Sequence, residues 1–80
     1  MEVFIAVLED DSIWIDIIVF EKQHDAMVQI GKWQKAEEDH RGEVSGWSTD
    51  KYEPSKTGLL YMVSVEGAGP TMTLWKKEVQ

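Results

Sequence analysis

Two histidines and two acidic runs are the side chains whose types and spacing could do chemistry: His24 and His40, Glu9-Asp10-Asp11, and Glu37-Glu38-Asp39. A histidine pair can share acid and base work only when both rings reach one substrate. His24 and His40 fall near opposite ends of one helical stretch, about 24 Å apart at ~1.5 Å rise per residue, so they form no joint site. Glu9-Asp10-Asp11 resembles half of a calcium loop, but that loop needs a glycine at its sixth position and a glutamate at its twelfth. Here the run passes directly into Ile13-Trp14-Ile15, a strand. The run therefore reads as a charged hairpin turn. Glu37-Glu38-Asp39 sits near a helix C-terminus, where the macrodipole disfavours anions, and Arg41 four residues after Glu37 offsets part of that cost.

Other chemistries lack their residues. Cysteine is absent, which removes a thiol nucleophile, a disulfide framework and a cysteine-ligated metal, and fits a reducing cytoplasm. Gly67-Ala68-Gly69-Pro70 leads from strand to strand, so no helix N-terminus follows to receive a phosphate. Catalysis, cofactor binding and metal binding are accordingly not expected. Fifteen acidic against eight basic side chains give a net charge of -7, a field that repels phosphate backbones and anionic membranes. Neither nucleic acid nor a membrane is an expected direct partner. No apolar run approaches the roughly 18 residues of a membrane span, and the start lacks the cationic region of a signal peptide. A cytoplasmic protein is the expectation.

The elements that must carry these side chains are legible in outline. Residues 3–8 and 13–20 are apolar, β-branched segments around the polar turn 9–12, the pattern of a β-hairpin. In the second segment Ile13, Ile15, Ile17 and Val19 share one face and Trp14, Asp16, Ile18 and Phe20 the other, which is mixed. Ala26, Met27, Ile30 and Trp33 then follow a helical spacing, and Gly42 after His40-Arg41 marks its end, so a helix spans about 23–41. Gly31 inside it suits a close approach to the sheet. Residues 42–58 read as a long connection tacked down by Trp47 and Tyr52. Residues 59–65 and 71–75 form a second hairpin, with Met72 and Leu74 inward and Thr71, Thr73, Trp75 and Lys77 on a wet face.

The expected fold is a single α+β domain over residues 1–80, a four-stranded antiparallel sheet in ββαββ order with one helix packed on one face. The other face stays open, with Trp14, Ile18 and Phe20 lining it. Trp33 belongs to the buried helix stripe, whereas Trp14, beside Asp16, and Trp75 are candidate interface anchors. A second copy is expected to cover part of the open face, making a homodimer.

The run Val3-Phe4-Ile5-Ala6-Val7, then Ile15-Asp16-Ile17-Ile18-Val19-Phe20, a helix, and Tyr61-Met62-Val63-Ser64-Val65 resembles small phage and prophage open reading frames. The likeness is one of pattern, departs at 42–58 and carries over no functional residue. It implies an inhibitor of host defence of the anti-CRISPR kind, acting by occupying a protein surface. The expected function is thus a small acidic interaction protein that docks on a basic surface of a host protein. Glu9, Asp10, Asp11, Trp14, Asp16, Glu37, Glu38 and Asp39 are its candidate contact residues. The alternative is a homo-oligomeric structural or accessory protein whose acidity serves solubility.

Overall fold

The computed structural model describes residues 1–10, 13–41, 47–53, 58–65 and 69–79, with the side chains of Trp14, His40, Arg41 and Val65 outside that description. In chain order the elements are β1 (Glu2–Asp10), β2 (Ile13–Phe20), α1 (Gln23–Arg41), β3 (Trp47–Lys51), β4 (Leu59–Val65) and β5 (Thr71–Glu78). All described strands join one antiparallel sheet in the order β2-β1-β5-β4-β3. The protein is therefore α+β with one helix, but its sheet has five strands where the sequence pattern suggested four.

The additional strand lies inside the expected 42–58 connection. Trp47-Ser48-Thr49-Asp50-Lys51 pairs with β4 from Trp47↔Val65 to Lys51↔Tyr61, at the sheet edge. Only Trp47 is half-buried; the next four residues are exposed, so the segment lacks the alternation that betrays a strand. Backbone pairing, not side-chain burial, holds it. Tyr52 continues the tether through its backbone N–H, which donates to the Leu60 carbonyl at 3.0 Å, while its ring is exposed.

The core lies between α1 and the sheet centre. Ala6, Ala26, Ile30, Val63, Met72 and Leu74 are buried together, and Phe4, Leu8, Phe20, Trp33, Trp47, Leu60 and Tyr61 pack around them. Small Ala6 and Ala26 let the helix backbone come close to β1, and the aromatics seal the edges. Met27, on the expected stripe, is instead partly exposed. Gly31 is exposed with open space where a Cβ would stand, so it is not the point of close approach. Gly42 lies outside the described residues.

Gly58 is the glycine whose freedom the fold uses. Its φ of 86° is a conformation side-chain-bearing residues rarely adopt, and a Cβ there would stand 2.7 Å from the Lys76 carbonyl oxygen. The Lys76 N–H donates to the Gly58 carbonyl at 2.7 Å, fixing the entry of β4 beside the end of β5.

Candidate interaction surfaces

Register determines which face each side chain takes. Phe4↔Phe20, Ala6↔Ile18 and Leu8↔Asp16 place the even-numbered residues of β1 and β2 on the helix side. Ile5↔Val19 and Val7↔Ile17 place their odd-numbered neighbours on the open side. This corrects the expected facing, because Phe20 packs against the core while Ile17 and Val19 stand exposed. The reason is position: buried Ala6 sets the helix side of β1, and β2 must follow its register. A register shift between Leu8 and Glu9 also breaks the alternation, so Ile13 stands opposite Asp10 and Trp14 opposite Glu9. Ile13 therefore does not share a register position with Ile17, as strict alternation required. The backbone of Trp14 is thereby located, but its side chain lies outside the described residues.

The open face is apolar and recessed. Ile5, Val7, Ile17, Leu59, Met62 and Trp75 line a trough of about 690 Å³, with Glu9 and Lys77 also on its walls. Val19 is 58% exposed and Ile17 46% exposed. Fully burying an aliphatic side chain gains roughly 1.5–3 kcal/mol, so each leaves about 1 kcal/mol unrealised in the single chain. The face is drier than its threonines suggest. Thr73, expected on a wet face, is 7% exposed, and its Oγ1 accepts a hydrogen bond from Trp75 Nε1 at 2.9 Å. The sequence reading missed Ile17 and Val19 as surface residues; their β-branched run was the available signal, attributed to the wrong side.

The acidic residues assemble differently. Glu9↔Thr71, Ser64↔Thr71 and Ser48↔Ser64 form one line across four strands, and Asp10 and Trp47 lie one step beyond it at the same end. Trp47 Nε1 donates to Glu38 Oε1 at 2.9 Å, which brings the last turns of α1 to that end as well. Glu9 and Asp10 therefore share one end of the molecule with Glu37, Glu38 and Asp39. β1 and β3 are three strand spacings apart, about 14 Å. Among the described side chains Lys35, one helical turn before Glu38 and Asp39, is the cation nearest this end, which stays net acidic, and the α1 backbone closes on Arg41. Asp11 is outside the described residues, and Asp16 is exposed on edge strand β2.

The opposite end is balanced. It carries the Met1 ammonium, Lys22, Lys76 and Lys77 with Glu2, Glu21, Asp25 and Glu78, including Lys76 Nζ to Glu2 at 2.8 Å and the Met1 ammonium to Glu78 at 3.0 Å. The chain thus has an electrostatic polarity along its strands. Asp25 lies in the first helical turn, where the macrodipole favours an anion.

Among the described residues no group of three or more histidine or carboxylate side chains is placed to hold a metal ion. No described helix is long and apolar enough to cross a membrane. No protein-family pattern, curated protein or solved structure matches the chain.

Proposed function

We propose that this chain is a small, non-enzymatic interaction protein that works by occupying a basic surface of a partner protein. Its most concrete form is a phage-encoded inhibitor acting on a host protein in the cytoplasm. The observation that carries the reading is the convergence of Glu9 and Asp10 with Glu37, Glu38 and Asp39 at one end, opposite a balanced end. Two acidic runs that are remote in sequence make one field, and a field of one sign steers and orients a partner of the other.

The test is affinity capture from a host lysate at low and high ionic strength. It compares the wild-type chain with Glu9→Gln/Asp10→Asn/Asp11→Asn and with Glu37→Gln/Glu38→Gln/Asp39→Asn. Glutamine at 38 keeps an acceptor for Trp47 Nε1, so the helix end retains its tether. The expected result is a partner held at low salt, released at high salt and weakened in both variants. Capture that is equal in both variants and at high salt would overturn the reading.

A further inference from the structure

We propose that the open sheet face is the contact surface of a twofold homodimer in which two sheets pack face to face with their strands antiparallel. The apolar walls of the trough supply the contact, and the charges at its ends choose the orientation.

Glu9 and Lys77 both line the trough but lie at opposite ends of it. Glu9 is level with Thr71, whereas Lys77 is level with Val3, six residues or about 20 Å further along the strands. Sheets packed face to face align within about 30° or cross near 90°. A twofold axis parallel to the strands would set Lys77 against the same lysine of the second copy and stack the two acidic ends. An axis across the strands does the reverse. It carries Glu9 of each copy across the roughly 10 Å between sheets from Lys77 of the other, one strand spacing aside and within reach of the two long side chains, and lays each acidic end beside a balanced one. It also places β2 over its own copy, so that Ile17 and Val19 bury their exposed surface together.

The size fits a dimer of modest affinity. Strands of about 25 Å in a five-stranded sheet project about 500 Å² before side-chain relief, near the roughly 600 Å² per partner of the smaller standard interfaces. The third described charge on this face is Asp50 of β3, level with Met62 of the trough. The crosswise axis puts β3 over its own copy, with the two Asp50 carboxylates about 7 Å out of step. Asp50→Asn should therefore tighten the dimer about twofold.

Sedimentation equilibrium from about 5 µM to about 1 mM decides the matter. The wild-type chain should pass from the 9.2 kDa monomer to twice that mass. Ile17→Lys, at an already half-exposed position, should raise the dissociation constant at least tenfold. Glu9→Lys and Lys77→Glu should each raise it about fivefold, because symmetry counts every substitution twice, and the double variant should restore it. Glu9→Lys lowers the repulsion between two chains of charge -7, so a general charge effect predicts tightening where the specific pairing predicts loosening.

Should Ile17→Lys fail to fold by circular dichroism, the absence of native cysteine allows a second measurement. A mixture of Glu9→Cys and Lys77→Cys chains should be joined into a dimer by a bifunctional maleimide reagent spanning about 10 Å more readily than either chain alone. A monomer up to 1 mM, a dimer indifferent to Ile17→Lys, or one that the double variant fails to restore would overturn the proposal. The last outcome would indicate the parallel arrangement or pairing through the edge of β2.

Discussion

The acidic end and the open sheet face differ in the physics they offer a partner. The acidic end is polar and half-buried to exposed, built from side chains on β1 and α1 that are distant in sequence, and what it offers is a field that salt screens. The open face is apolar, built from neighbouring strands, and it acts through surface removed from water. Under the two proposals the chain meets its second copy and its partner on separate surfaces, because face and end overlap only at Glu9. The lesson is that net charge alone does not describe this protein; the charge is gathered away from the surface best suited to close contact.

Both regions rest on β5, so the largest effect should come from its core. Leu74 is fully buried, and Leu74→Ala should cost about 3 kcal/mol in urea unfolding and remove both binding properties together. Retention of one without the other would show that the two surfaces do not share a cooperative support. Gly58→Ala comes next, at about 2 kcal/mol, since it combines a disfavoured φ with a close approach to the Lys76 carbonyl. Its damage should centre on the balanced end, loosening self-association more than partner capture at temperatures where the fold persists.

Trp47→Phe keeps an aromatic ring against the core but removes the donor to Glu38. The expected cost is about 1 kcal/mol by thermal unfolding, with capture of a basic partner reduced and the dimer constant unchanged. Equal changes in both would mean that the helix end and the open face are mechanically coupled. The smallest effect should be the response of self-association to salt. Raising ionic strength should change the dimer constant less than about twofold, because screening both relieves the repulsion between two chains of net charge -7 and weakens the Glu9–Lys77 pairs, while the same change weakens docking on a basic surface markedly. If both weaken to the same extent, one of the two assignments is wrong.

Much of the fold was legible in the pattern of residue types. The strands near 3–8, 13–20, 59–65 and 71–75 and the helix over 23–41 all appear where β-branched runs and helical spacing indicated them. β3 escaped because an edge strand needs only a pairing partner, and Ser48-Thr49-Asp50-Lys51 bury almost nothing. The facing of β2 was misread because its odd-numbered side is the more apolar, which ordinarily marks the core side. Here buried Ala6 and the helix above it determine the side, and the register shift at Leu8/Glu9 ends the alternation before the turn.

The sequence by itself determined the class of the fold, the net charge of -7 and the helix-end setting of Glu37-Glu38-Asp39, whereas Glu9 and Asp10, expected in the turn, are paired residues at the end of β1 and Asp11 lies outside the described residues. Only the tertiary structure decided that β1 lies beside β5, that the helix returns to the hairpin end, and that the isoleucine-rich side of β2 faces outward. The physical reason is range. Residue types and periodicity express forces acting within a few residues, whereas strand order and register arise from pairings between segments up to 76 residues apart, as in Glu2↔Glu78.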